Sequence, residues 1–169
     1  GYVYSYGNRG YGQLGHGEED TANKQYPTRI NTLSNIVAIS AGWNFSLFLD
    51  DLGKVYSCGY GGDYGQLGHG NINNYNFPTI IDALNGSNIT HISAGSKFSL
   101  FVEDSTSIYR CGFDPKLVVQ PEPPRLPYTM DDINTIDNIV NISANKNDND
   151  LHLLLTFNLF NENGYQCQS

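Results

Sequence analysis

The chain has 169 residues, enough for one domain with a sizeable core. A formal net charge of −8 and a pI near 4.7 disfavour nucleic acid and anionic lipid as partners, since both need basic surface. The 18 glycines follow no three-residue period, which excludes collagen and indicates tight turns, and no apolar run approaches the roughly 18 residues of a membrane span.

Gly1–Gly7 reads as a short strand, with Val3, Tyr4 and Tyr6 suited to a pleated surface and Gly7 ending the run. The stretch Tyr11-Gly12-Gln13-Leu14-Gly15-His16-Gly17 is a glycine loop with one aliphatic residue, Leu14, expected to anchor it to the core. It fits neither a Walker nor a dinucleotide fingerprint, lacking the strand-to-helix context and a following Lys-Ser/Thr. Glu18–Tyr26 is polar and reads as an exposed excursion, and Pro27–Ile30 as an edge strand. Ile36–Ser40 and Phe45–Leu49 are apolar strands around the turn Ala41–Asn44. Asp50-Asp51-Leu52-Gly53 then turns into the strand Lys54–Cys58.

The chain then starts again. Tyr64-Gly65-Gln66-Leu67-Gly68-His69-Gly70 repeats all seven residues of the first loop. Val3-Tyr4-Ser5-Tyr6-Gly7 becomes Val55-Tyr56-Ser57-Cys58-Gly59, then Ile108-Tyr109-Arg110-Cys111-Gly112. Ile39-Ser40-Ala41-Gly42 with Phe45–Phe48 becomes Ile92-Ser93-Ala94-Gly95 with Phe98–Phe101. A worn third copy reads Ile142-Ser143-Ala144-Asn145, then Leu151–Leu154, after a proline cluster at Pro121–Pro127 that replaces the glycine loop. The one stretch with any helical character, Met130–Ile136, is too short to insist on.

Four strands per round of about 50 residues, joined by tight turns, is the signature of a propeller blade. Such a sheet cannot cover both faces alone, so neighbouring blades supply the missing contact. The expected fold is all-β: an incomplete β-propeller of about three four-stranded antiparallel blades. Residues 1–169 form a single partial domain, with copies at about 1–52, 53–106 and 107–157, the third degenerate, and 158–169 opening another. Three blades cannot close a ring when propellers run from about four to eight. A fragment of a longer chain leads over a ring completed by another polypeptide and over a strand-swapped homo-oligomer.

These motifs resemble the regulator-of-chromosome-condensation repeat family, strongly over Gly1 to about Val102 and weakly beyond. The resemblance implies a seven-bladed ring. It also implies histidine where Phe45 and Phe98 stand and tryptophan where Tyr6, Cys58 and Cys111 stand, departures that read as core substitutions.

The residues offer no catalytic, cofactor-binding or metal constellation. His16 and His69 fall on equivalent points of successive blades and read as turn or surface residues. Asp148-Asn149-Asp150 lacks the glycine and distal glutamate of a calcium loop. The three cysteines form no disulfide framework or zinc site, and Cys58 and Cys111 read as packing residues. Asn85-Gly86-Ser87 and Asn88-Ile89-Thr90 match the glycosylation pattern by accident of an asparagine-rich chain.

Rim turns are the better candidates. Asp50, Asp51, Glu103 and Asp104 share one turn position and would build an acidic rim for basic side chains. Trp43 lies in the opposite set of turns, where a large aromatic can be a contact hot spot. Gly12, Gln13, Leu14 and Gly15, with Gly65, Gln66, Leu67 and Gly68, form the structural repeat motif.

The function expected is a non-catalytic module for protein–protein interaction, with no cofactor. The resemblance implies one alternative, a guanine-nucleotide exchange factor for a Ran-type small GTPase; a second alternative is a regulatory domain of a larger ligase or kinase. The partner is expected to be a protein, a small GTPase in the exchange reading, with no membrane. Gly1–Tyr4 has none of the regions of a signal peptide, and reduced thiols fit an intracellular protein, cytoplasmic or nuclear.

Overall fold

The structure, a computed structural model, describes residues 1–17, 23–104 and 107–113, and the backbone of three further strands at 128–129, 139–144 and 153–157. Its strands are β1 (Tyr4–Gly7), β2 (Lys24–Arg29), β3 (Ile36–Ala41), β4 (Phe45–Asp50), β5 (Val55–Gly59), β6 (Tyr75–Ile80), β7 (Ile89–Ala94), β8 (Phe98–Glu103), β9 (Ser107–Gly112), β10 (Tyr128–Thr129), β11 (Ile139–Ala144) and β12 (Leu153–Phe157). One turn of 3-10 helix, Asp82–Leu84, precedes β7.

They assemble into antiparallel sheets in simple order: β1-β2, then β3-β4-β5-β6, then β7-β8-β9-β10, then β11-β12. Two sheets are four-stranded blades, and two are pairs. The sheets are offset from the sequence repeat, because each four-stranded sheet takes its inner strands from one copy and its outer strands from the next. A register irregularity recurs near the start of each inner strand, at Ile36/Ala38, Ile89/His91 and Ile139/Asn141. One bulge at one position in three sheets marks a common blade geometry.

The period of two along a strand decides which neighbour each side chain meets. On β4, Phe45, Leu47 and Leu49 join the core cluster shared with Phe101, Ile89 and Ala94 of the following blade. Phe48, on the opposite face, joins Val3, Ile30, Leu33 and Cys58 beneath the preceding pair β1-β2. β4 and its counterpart β8 are therefore apolar on both faces, as expected of strands covered on both sides, whereas β3 leaves Val37 and Ile39 exposed.

Several boundaries differ from the sequence expectation. β2 begins at Lys24, inside the stretch expected to be an excursion, and β6 begins at Tyr75 rather than at Pro78. Both are outer strands whose added residues, Lys24–Tyr26 and Tyr75–Phe77, include no aliphatic side chain, so no aliphatic pattern announces them. Phe45, Phe98, Cys58 and Cys111 are core residues as expected. Tyr6 is not: it is 65% exposed, because β1 pairs with β2 on one side and, among the described residues, with no strand on the other. The turn Asn145–Asp150, the loop after Phe113 and the stretch Met130–Ile136 lie outside the described residues.

Candidate partner-binding rims

The repeated heptad builds a latch between blades. Ser5 Oγ, on β1, donates to the Leu14 carbonyl at 2.7 Å, and Ser57 Oγ, on β5, donates to the Leu67 carbonyl at 2.8 Å. A hydroxyl has one proton to give, so the 2.9 Å contacts of Ser5 and Ser57 with Nε2 of His16 and His69 are donated by the imidazole N–H. Each histidine thus ties a glycine loop to its own blade. The next blade takes hold of the same loop. Ser46 Oγ donates to the Gln13 carbonyl at 2.8 Å, and Ser99 Oγ to the Gln66 carbonyl at 2.7 Å. The Cys58 and Cys111 thiols approach those carbonyls at 3.6 and 3.3 Å.

Glycine at position 12 is required by that approach. Its φ is +84°, and a Cβ there would lie 2.7 Å from Asn76 Cα on the facing strand β6. Leu14 and Leu67 are buried, as the anchoring role demands. Gln13 folds back on its loop, its Oε1 accepting from Tyr11 N–H at 2.9 Å. Gln66 is buried, and its Oε1 has no hydrogen-bond partner among the described residues. Burial lowers the His69 pKa below its ordinary 6.5 against the opposing pull of Asp82, and pushes the Cys58 and Cys111 thiols up to about 12. Such thiols are inert packing groups at neutral pH.

The two rims are chemically unlike. On one lie the β4–β5 and β8–β9 turns with the four candidate acidic residues. Asp50 is buried: its Oδ1 accepts from Leu52 N–H at 3.0 Å and Lys54 N–H at 2.9 Å, and its Oδ2 from Tyr56 O–H at 3.2 Å. Glu103 accepts from Tyr109 O–H at 2.5 Å, and Asp104 from Asn88 Nδ2 at 2.6 Å. Burial first, then the Asp50 charge, raise the Tyr56 pKa, while the hydrogen bond to Glu103 leads in raising that of Tyr109. Three of the four carboxylates are therefore engaged within their own blades. Asp51 is exposed and, among the described residues, makes no side-chain hydrogen bond.

On the opposite rim lie the glycine loops and the β3–β4 and β7–β8 turns. Trp43, at the tip of the β3–β4 turn, is 65% exposed, with Lys97 Nζ 5.9 Å from its ring centroid. Two aromatic pairs repeat the blade spacing beside it: Tyr11 with Tyr60 at 4.7 Å, and Tyr64 with Phe113 at 5.0 Å between centroids. Each joins the loop tyrosine of one heptad to the residue after the closing glycine of the next outer strand. Tyr11, Tyr60 and Tyr64 were missed by sequence reasoning, although the first and last stand inside the repeated heptad and carried the signal.

Among the described residues no group of three or more His, Cys, Asp or Glu could hold a metal, and no helix is long and apolar enough to cross a membrane. Asn85 and Asn88, at the two glycosylation-like triplets, give their amides to Asp82 and Asp104.

Repeated four-stranded sheets packed face to face and latched by a recurring glycine loop define a β-propeller protein. The chain belongs to the regulator of chromosome condensation (RCC1) repeat family, whose model matches residues 1–49 and 53–102. It is 33% identical over 136 residues to the human E3 ubiquitin-protein ligase HERC2, covering 75% of this chain and 3% of that protein. To the zebrafish (Danio rerio) Protein RCC2 homolog it is 35% identical over 114 residues, covering 66% of this chain and 22% of that one. The chain therefore spans only a small part of the length of the curated relatives it matches. Among solved structures it resembles Prp20p of Saccharomyces cerevisiae, described with its binding to Gsp1p and histones, with a TM-score of 0.70 and 26% identity, covering 86% of this chain and 38% of that one. Human WBSCR16 is similar at a TM-score of 0.64 and 28% identity, covering 75% of this chain and 34% of that one.

Proposed function

We propose that this chain is a non-catalytic propeller module that binds a protein partner through the rim carrying Trp43 and the glycine loops. The observation that supports it most is the contrast between rims. Most of the carboxylates on one are engaged internally, whereas the other presents an exposed tryptophan beside two aromatic pairs. Exposed aromatics next to a rigid scaffold are the composition of contact hot spots. The rigidity is supplied by the latch, so the rim meets a partner with little ordering cost.

A second reading, exchange of guanine nucleotide on a Ran-type small GTPase, is favoured by the 26% identity to Prp20p and that protein's binding to Gsp1p. Exchange would proceed by tighter binding of the nucleotide-free GTPase. The similarity to HERC2 supports a third role, as a regulatory part of a larger ligase. Hydrogen-exchange footprinting with a Ran-type GTPase and with core histones as probes tests the first reading. Protection is expected at Ala41–Asn44 and Tyr60–Gln66, and protection confined to Asp50–Lys54 would overturn it. In parallel, faster nucleotide release from the GTPase would replace simple binding with the exchange reading.

A further inference from the structure

Trp43 and Lys97 stand on consecutive inner turns of two blades, and between them opens a cavity of about 80 Å³. Its other walls include Tyr60, Asp63, Tyr64 and Gln66. Aromatic rings offer their faces to a cation. The Asp63 carboxylate, exposed at the mouth, supplies an opposite charge. At the floor, Gln66 is only 2% exposed, and its Oε1 accepts no hydrogen bond from any described residue. A buried amide oxygen left without a donor is costly, and a ligand N–H that reaches it removes the cost.

We propose that this inter-blade cavity seats an arginine side chain of the partner. The inference rests on the rim reading above and deepens it by naming the recognised group. A guanidinium is planar and carries five N–H donors, so it can lie along Trp43, pair with Asp63 and still direct an N–H at Gln66 Oε1. A carboxylate would instead meet Asp63 and the acceptor oxygen of Gln66, both of the wrong sign, within a chain of net charge −8. Lys97 is the one cation lining the cavity. At 5.9 Å from the indole centroid it sits at the outer limit of cation–π range, leaving space nearer the ring face.

Trp43 is the chain's single tryptophan, so its fluorescence reports this site directly. Titration with a capped Gly-Arg-Gly tripeptide is expected to give a saturable change in emission, and a capped Gly-Glu-Gly tripeptide none. Asp63→Asn, at an exposed position, is expected to weaken arginine binding by about tenfold, and Lys97→Ala to tighten it. A non-saturable response to the arginine peptide, or an Asp63→Asn variant that binds as tightly as the wild type, overturns the arginine assignment. Footprinting separates the two levels. Rim protection by a protein partner without arginine binding removes only the arginine assignment, whereas the absence of rim protection removes the interaction reading itself.

Discussion

Strands β1 and β5 carry nearly the same residues, Val-Tyr-Ser-Tyr-Gly and Val-Tyr-Ser-Cys-Gly, and pair with their outer neighbours β2 and β6 in matching registers. Yet Ser57 and Cys58 are wholly buried, whereas Ser5 is half-buried and Tyr6 is exposed. The difference lies on the inner side: β4 pairs with β5 residue for residue, and among the described residues β1 has no such neighbour. The inner strands repeat the lesson. Ile39 on β3 is 64% exposed, while its equivalent Ile92 on β7 packs against the main core cluster beside the preceding blade. In a propeller, burial belongs to the pair of blades rather than to the strand.

The comparison can be broken most forcefully at a glycine. Gly7 and Gly59 share a φ of +115°, but a Cβ on Gly59 would lie 2.4 Å from the Asn44 carbonyl, whereas on Gly7 it would meet nothing within 4 Å. Gly59→Ala is expected to cost about 3 to 5 kcal/mol of unfolding free energy, from backbone strain plus overpacking. Gly7→Ala carries the strain alone, about 1 to 3 kcal/mol. Chemical denaturation of the two variants measures both, and equal losses would deny the role of the neighbouring strand.

Removing a side chain sharpens the same contrast. Ile92→Ala is expected to lose about 2 kcal/mol as apolar area leaves the core. Ile39→Ala, from an exposed site, should stay within about 0.5 kcal/mol of the wild type. The latch should respond in the same order: Ser57→Ala leaves the buried Leu67 carbonyl without its donor, a loss of about 1 to 3 kcal/mol. Ser5→Ala, half-exposed and open to water, should lose less than about 1 kcal/mol by the same measurement.

The smallest effect is a pH dependence. Burial holds the His69 pKa below that of the unfolded chain, so the unfolded state binds the proton more readily. Its contribution is complete above the ordinary value of 6.5 and is lost as pH falls through the folded value. The thermal midpoint should therefore be lower at about pH 5.5 than at about pH 7.5, and His69→Gln should reduce that difference.

The sequence already showed the blades, because the heptad recurs whole and the apolar strands recur around it. Strands β4 and β8 were legible for the same reason that they are buried: both faces must be apolar. The outer strands β2 and β6 were less so, since Lys24–Tyr26 and Tyr75–Phe77 carry no aliphatic side chain, and of them Tyr75 is the one packed against the main core cluster. Repeat position foretold the burial of Cys58 and Cys111 but not the exposure of Tyr6, which depends on which strand lies next to it. Of the candidate rim residues, the turn placed Asp50 correctly in sequence, but its carboxylate is consumed by Leu52, Lys54 and Tyr56. Local capping by aspartate looks the same in sequence as a charge offered to a partner. Trp43 stands exposed on the rim, at the tip of the β3–β4 turn.

Amide hydrogen exchange along β1 and β5 tests most directly the claim that blades are completed by their neighbours. The account predicts that Val55–Gly59 exchanges far more slowly than Tyr4–Gly7, with the slowest amides on β4, β5 and β8. Protection of β1 equal to that of β5 would contradict it.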